Sequence, residues 1–399
     1  MSETIDFKQT AQAYRGQLVE TRRYIHRHPE LSFKEVNTAK LIRERLKSLD
    51  IPMMEGISGN STVGILKGSE PGPTLLFRAD IDALPIKEDT GLEFASETPG
   101  VMHACGHDAH TSTLLAFADW MSKHRDRIKG TVKLVFQQGE DQTPGGGKFI
   151  VADGVLKDVD YAFAWHCAPE LTVGELSISE GPRTAAVECY RIRVCGVGGH
   201  GGFPFMAVDP ISTGAEIVSA INQLINWTVS PFDSATLTVS RFEAGTEGIY
   251  NVIPADAVLE GHLRSLNNDV ARRLLERIQK LAEGICEARG CTCEFEVEHG
   301  YPALINDEKA TVFLREKLQQ AGMNAKKTPP IMGAEDFAFY TMEVPGVYFN
   351  SGVHDPARPE TAYAPHNPKF CIDEEAMVCA LEAMLQIYDA MTTAFVYEK

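Results

Sequence analysis

Apolar positions from Thr10 to Arg27 recur at helical spacing, and His28-Pro29-Glu30 ends the run, since a residue before proline avoids the α region. Glu35 to Leu49 predicts a second amphipathic helix. Short apolar runs at Thr62–Lys67 and Thr74–Ala79 predict strands. Thr111 to Lys123 then reads as a buried helix, Thr131–Phe136 as a strand, Gly145 to Asp153 as a helix and Tyr161–Trp165 as a strand. Strands alternating with helices predict a mostly parallel sheet covered on both faces.

The pattern changes around Gly181-Pro182-Arg183. Glu188 to Val197 alternates like a half-exposed strand, and Pro210 to Trp227 predicts a long helix. Strands at Ala235–Ser240 and Ala257–Leu263, a helix from Val270 to Ala288 and a strand from Cys293 to Val297 complete a βαββαβ order, the ferredoxin-like arrangement. After Gly300-Tyr-Pro302 the first style resumes, with a helix over Glu308–Gln320, a strand over Gly346–Asn350 and a final helix over Glu374–Thr392. The expected fold is α/β: a mostly parallel-sheet catalytic, metal-binding domain over residues 1–183 and 299–399. A ferredoxin-like α+β domain over 184–298 would be inserted into it as a dimerisation or lid domain.

At 399 residues the chain suits two domains better than one core. Its net charge of -17 repels polyanions, so nucleic acid and anionic membrane surfaces are excluded as expected partners. Met1–Phe7 carries no basic or apolar leader pattern, so no signal peptide is expected, and no apolar stretch approaches the ~20 residues that span a bilayer. Nine scattered cysteines suit reduced thiols in a cytoplasm better than a disulfide framework.

Five groups carry candidate chemistry. Cys105-Gly106-His107 sets a thiolate and an imidazole two residues apart, with His103, Asp108 and His110 around them; three histidines and a cysteine in eight residues at a helix start favour metal over a structural cysteine beside a cap. Gln137-Gln-Gly-Glu140-Asp141 leads from a strand into paired carboxylates, one able to bind an ion while the other acts as general base. His166 follows an apolar strand, His366 lies in the proline-bounded Ala364–Pro368 loop, and Asp80 and Asp82 follow another strand. Each is weak alone, and His166 alone reads more readily as a core histidine. Together they supply enough Cys, His and carboxylate donors for two divalent ions.

These residues sit in ordered motifs spread nearly end to end. The motifs are Arg23–Phe33, Arg78–Pro85, Met102–His110, Gly198–Gly202 with Val208–Pro210, Asn251–Pro254, Gly333–Phe337 and His366–Pro368. In them the chain resembles the amidohydrolase branch of the aminoacylase and carboxypeptidase zinc-metallopeptidase superfamily, which includes N-acyl-amino-acid, hippurate and auxin-conjugate hydrolases. The resemblance implies a dinuclear site with ligands Cys105, His107, Asp141, His166 and His366, Cys105 bridging. It implies Glu140 as general base and Asp82 as the group orienting an imidazole ligand. His200 of the inserted domain would polarise the scissile carbonyl, and Asn251 and Arg264 would hold the substrate carboxylate. The implied cofactors are two divalent ions, zinc or manganese first, with cobalt and nickel also compatible with mixed N, O and S donors.

Three departures stand out. Asp141 replaces the second of the usual paired glutamates, Gln137-Gln-Gly139 stands where Gln-Pro-Ala is commoner, and Phe203-Pro-Phe205 follows His200 where a second histidine is frequent. The expected reaction is hydrolysis of the amide of an acetyl-, benzoyl- or related N-acyl amino acid or a short peptide, by a cytoplasmic homodimer. A metallo-exopeptidase or dipeptidase is the alternative of the same class, although dipeptidases usually place aspartate where Cys105 stands. A metal-free thiol hydrolase using Cys105, and a non-catalytic metal- or peptide-binding protein, are the alternatives of other classes.

Overall fold

The computed structural model describes residues 5–397; Met1–Thr4, part of the stretch read above for a leader, lies outside the described residues. The described chain forms two compact units. The first comprises the residues up to Arg183 with Ile305–Pro329 and Asp336 onward, and the second Thr184–Leu304 with Pro330–Glu335.

In the first unit seven strands make one sheet, in the spatial order Thr62–Lys67, Lys129–Gln137, Glu70–Asp80, Tyr161–Thr172, Gly346–His354, Glu175–Ser177 and Asn324–Lys326. The four strands from Lys129–Gln137 to Gly346–His354 run parallel, as the alternating pattern predicts; antiparallel pairing flanks them at Thr62–Lys67 and Glu175–Ser177. Apolar runs drive this sheet inward. Phe77 lies between Phe117 of the helix His107–Lys123, at 4.6 Å between ring centroids, and Phe163 of the neighbouring strand, at 5.1 Å. Such an aromatic truncated to alanine typically costs about 3–5 kcal/mol. The helix itself is buried on all sides from His107 to Met121, its second half because it is mainly apolar and its polar first turns through hydrogen bonds such as Thr111 Oγ1 to Asp80 O at 2.8 Å.

The register decides where chemistry can stand. Asp80 pairs with Gln137, and Arg78 with Ala164. Asp82, Glu140 and His166 therefore come from three adjacent strands at one level, near the carboxyl ends where open α/β sheets place their sites.

The second unit is an antiparallel sheet in the order Thr292–His299, Ala186–Cys195, Asp256–Ser265, Ala235–Ala244, the ferredoxin-like 4-1-3-2 sequence. Helices Pro210–Ile221 and Asn268–Arg289 supply Ile217, Ile221, Leu274 and Ile278 to the core on the face that carries Ile192 and Leu259. Both helices are locally encoded. Asp209 caps the first ahead of Pro210, while Asn267 caps the second and Gly290, at φ 74°, ends it.

Four of the differences from the sequence reading bear on the cores and on the site residues. The run Thr10–Arg27 divides into Phe7–Ala13 and Arg15–Arg27 at Tyr14, whose hydroxyl is anchored on Asp119 at 2.7 Å. The run Pro210–Trp227 divides after Ile221, which lets Leu224 join the second core. The helix expected from Thr111 begins at His107, and the strand expected to end at Trp165 continues to Thr172, so His166 is a mid-strand residue. Among the described residues no helix is long and apolar enough to cross a membrane.

A buried ionic cluster ties the helix Arg15–Arg27 to the start of His107–Lys123. Arg22 Nε donates to Asp108 Oδ2 at 3.0 Å, His26 Nδ1 to the same oxygen at 2.8 Å, and His26 Nε2 to Glu88 Oε1 at 3.2 Å. Burial opposes charge on His26, but Asp108 outweighs it and raises the imidazole above its ordinary value of 6.5. A raised folded-state value means that the stability His26 contributes is complete below about pH 6.5 and disappears as pH rises through the folded value. The gap in thermal midpoint between wild type and His26→Gln should thus be widest in mild acid and shrink in alkali; a gap independent of pH would refute the charged imidazole. Asp108→Asn, which takes from Arg22 and His26 the buried carboxylate they share, should destabilise by about 3–5 kcal/mol in denaturant titration.

Candidate metal centre

Four segments of the first unit converge beyond the sheet. Gly106, at φ 91°, turns the chain into the helix that starts at His107, and a Cβ there would lie 2.8 Å from Cys167 Sγ, so only glycine fits. His166 projects from Tyr161–Thr172, Glu140 and Asp141 follow Lys129–Gln137, and His366, itself at φ 67°, is held by its N–H on Ala104 O at 2.8 Å.

The result is two groups of three donors. Ligand atoms of Cys105, His107 and His166 lie within 4.8 Å of one another, as do those of Cys105, Asp141 and His366, with Cys105 common to both. Within them Cys105 Sγ is 3.5 Å from His166 Nε2, and Asp141 Oδ1 is 3.3 Å from His366 Nε2.

The donor atoms fit divalent ions. His107 Nε2 and Asp141 Oδ2 are buried with no hydrogen-bond partner. They stand 3.9 Å apart, and His107 Nε2 is also 3.9 Å from Glu140 Oε2 and 3.8 Å from Asp80 Oδ2. Those gaps are too wide for hydrogen bonds and leave space for a cation among them. The charge balance agrees. The carboxylate of Asp80 and the Cys105 sulfur, against the opposing effect of burial, push His107 well above its usual value, and a divalent ion would replace the proton so held.

Asp82, Ser32 and the main-chain carbonyl of Cys167 set the imidazoles. His107 Nδ1 faces Asp82 O at 3.0 Å and Asp82 Oδ1 at 3.1 Å, and a carbonyl oxygen only accepts, so Nδ1 carries a proton and Nε2 is the nitrogen left to a second proton or to an ion. Asp82 Oδ2 accepts from Ser32 Oγ at 2.6 Å and from Asp141 N at 3.0 Å. Burial alone would raise Asp82; the His107 hydrogen bond and charge hold it below the usual carboxylate range. His166 Nδ1 donates to Cys167 O at 2.9 Å, which frees its Nε2 in the same way.

Asp80, His107 and His110 also approach within 4.8 Å, yet both ring nitrogens of His110 are engaged, Nδ1 with Asp80 Oδ1 at 2.6 Å and Nε2 with Cys167 N at 3.1 Å. Burial lowers His110 to about 3 and His103 to about 4, so both are neutral. The dense cluster of the sequence thus separates into candidate ligands and neutral neighbours.

The second unit carries the other expected residues. His200 pairs with Val252 across a two-residue ladder, and Gly201 N donates to Asn251 O at 2.7 Å. His200 Nδ1 accepts the Gly202 N–H at 3.0 Å, so its exposed ring offers Nε2–H as a donor. Phe203 lies 5.3 Å from that ring, and Arg264 Nη1 donates to Met332 O at 2.6 Å.

Supporting residues escaped the sequence reading. Ser32 fixes Asp82, Glu35 accepts the Gly139 N–H at 2.8 Å ahead of Glu140, and Asp336 N donates to Glu140 Oε1 at 3.4 Å. All three lie in or beside motifs quoted above, but no spacing rule assigns a role to a residue that acts only through its neighbours.

Comparison with known proteins follows the same lines. Residues 76–390 match peptidase family M20/M25/M40. Thermostable carboxypeptidase 1 of Saccharolobus solfataricus is 37% identical over 363 residues, covering 90% of this chain and 91% of its own. N-acetylcysteine deacetylase of Bacillus subtilis is 35% identical over 380 residues, covering 94% of this chain and 97% of its own. The crystal structure of the Bacillus subtilis YXEP protein, a dinuclear metal-binding peptidase from family M20, aligns with a TM-score of 0.84 at 32% identity, over 96% of this chain and 100% of that chain.

Metal binding should release protons. Burial, then the Asp141 charge, pushes the Cys105 thiol up, and His107 is also raised, so both hold protons that an ion must displace. Affinity should therefore rise with pH, with about two protons released as the two-ion centre fills near neutrality, measured by calorimetry in buffers of different ionisation enthalpy. Binding without proton release would refute the pair as ligands. Asp82→Ala should weaken metal binding roughly 10- to 100-fold, because the His107 ring loses its anchor.

Proposed function

The chain belongs to peptidase family M20/M25/M40 and is a metal-dependent amide hydrolase, and we propose that it cleaves the amide of N-acyl amino acids to release the free amino acid. The observation that carries this reading is the pair of three-donor groups sharing Cys105, with Glu140 beside them on the loop that carries Asp141. The deacetylase named above acts on an N-acetyl amino acid, and Cys105 stands where dipeptidases usually have aspartate.

Cys105, His107, Asp141, His166 and His366 would hold two divalent ions, zinc or manganese first, Cys105 being common to both donor groups. Bound ions of this kind lower the pKa of water and polarise a carbonyl oxygen. Glu140, held by Asp336 N, takes the proton of the attacking water and returns it to the leaving amine. His200 donates Nε2–H to the developing oxyanion, a contribution commonly ~3 kcal/mol. Asn251 and Arg264 hold the substrate carboxylate, and Phe203 and Phe205 favour apolar acyl groups. In this reading the first unit is catalytic and the second a lid that also pairs two copies. The outer strands Ala235–Ala244 and Thr292–His299 offer free edges, and Trp227 and Phe232 lie exposed on the same unit. We place the protein in the cytoplasm, where its free cysteines stay reduced.

A carboxypeptidase reading is favoured by the 37% identical relative. A thiol hydrolase is disfavoured, because burial raises Cys105 where an activated nucleophile is lowered.

Glu140→Gln should reduce turnover roughly 100- to 10,000-fold with metal content unchanged. Full activity in a metallated Glu140→Gln protein would sink the base assignment. A screen of acetyl-, benzoyl- and long-chain N-acyl amino acids against free dipeptides, after reconstitution with zinc, manganese, cobalt or nickel, tests the substrate class. Higher kcat/KM on the acyl conjugates is expected; preference for unblocked peptides would establish the peptidase instead. Activity that survives exhaustive chelation would restore the thiol mechanism.

A further inference from the structure

We propose that His110, which is no ligand itself, is the positioning residue that aims His166 at the ion site, acting through the main chain of Cys167. The proposal rests on His166 being a ligand.

Beyond Arg78↔Ala164 the strand Tyr161–Thr172 loses its ladder to Glu70–Asp80, so its main-chain groups on that side need other partners. At Cys167 two imidazoles provide them. The Cys167 N–H can only donate, so His110 Nε2, 3.1 Å away, must be the acceptor. The single proton of a neutral His110 then lies on Nδ1 and goes to Asp80 Oδ1 at 2.6 Å. The Cys167 carbonyl can only accept, so His166 Nδ1, at 2.9 Å, must carry the proton. Its Nε2 is left bare, 3.5 Å from Cys105 Sγ. One residue's N–H and C=O thereby set the tautomers of two histidines in opposite senses, one spent on structure and one presented to an ion.

The far end of the chain is fixed as firmly. Asp80 Oδ2 accepts from Arg78 Nη1 at 2.7 Å, Arg78 Nη2 donates to Asp336 Oδ1 at 2.6 Å, and all three side chains are fully buried. His110 packs edge-on to Trp165 at 4.7 Å and lies 4.5 Å from the His166 ring. With Gly106 closed against Cys167 Sγ, the main chain between His166 and Cys167 has little freedom once His110 holds its N–H.

Two substitutions separate this role from simple core filling. An asparagine amide overlays His Nδ1 and keeps the donor to Asp80 while losing the acceptor for Cys167; a glutamine amide overlays Nε2 and keeps the acceptor. Cobalt(II) titration of the metal-stripped full chain, followed by the thiolate-to-cobalt absorption of Cys105, reads the site without turnover. His110→Asn should bind cobalt roughly 10- to 100-fold more weakly, with His110→Gln within about threefold of wild type. Equal affinities for the asparagine variant and wild type, or equal losses in both variants, overturn the proposal. Should the asparagine variant not fold, ¹⁵N-imidazole NMR of the wild-type protein decides: an unprotonated His110 Nε2 and protonated Nδ1 are expected, and a protonated Nε2 overturns it. His166→Ala tests the underlying reading separately. If that variant keeps wild-type cobalt affinity the ligand assignment of His166 fails, whereas its loss alongside an unaffected His110→Asn fails only the positioning role.

Discussion

Asp80, Glu140 and Asp141 are gathered around one imidazole nitrogen, His107 Nε2, and Asp82 holds the ring's other nitrogen, at the carboxyl end of a mostly parallel sheet. Charges at that depth are costly unless each is paired, so the surrounding chain is committed to satisfying them. Arg78 neutralises Asp80, Ser32 and the Asp141 N–H hold Asp82, and the Asp336 N–H reaches Glu140. What those partners leave over is a negatively charged pocket with a bare imidazole nitrogen and a thiol at its wall. Proton or divalent cation is the choice it faces, and the chemistry of the site follows from which one it holds.

Control of tautomers recurs at the candidate site histidines of each unit. Asp82 holds the Nδ1 proton of His107, Cys167 O holds that of His166, and Gly202 N–H occupies Nδ1 of His200 so that its Nε2 is the donor. Each ring is pointed by a neighbour that can play one hydrogen-bond role only. In the roles proposed for them the imidazoles would need no rearrangement, which is the condition for electrostatic stabilisation to be worth several kcal/mol.

Asp141 is the place where this chain differs most pointedly from the paired-glutamate pattern. Its shorter side chain still brings Oδ1 to 3.3 Å from His366 Nε2, because the backbone N–H of Asp141 is tied to Asp82 and Gly139 is tied to Glu35. The loop is thus clamped on both sides of Glu140.

The periodicity of apolar positions was enough to find the parallel sheet, the ferredoxin-like unit and most helices, because burial on one face leaves a repeat of 2 or 3.6 in the chain. Motif density was enough to single out Cys105, His107, Glu140, Asp141, His166 and His366 as candidates. By itself it did not tell His107 from His110, three residues apart in one helix and both buried, nor Asp80 from Asp82; the family resemblance named His107 and Asp82 without supplying the physical reason. Those distinctions depend on partners remote in sequence: Cys167 for His110, Ser32 for Asp82, Asp336 for Arg78. Local sequence records which side chains are buried; which atom of a buried imidazole keeps a lone pair is settled only when the folded chain brings a donor or an acceptor against the other one.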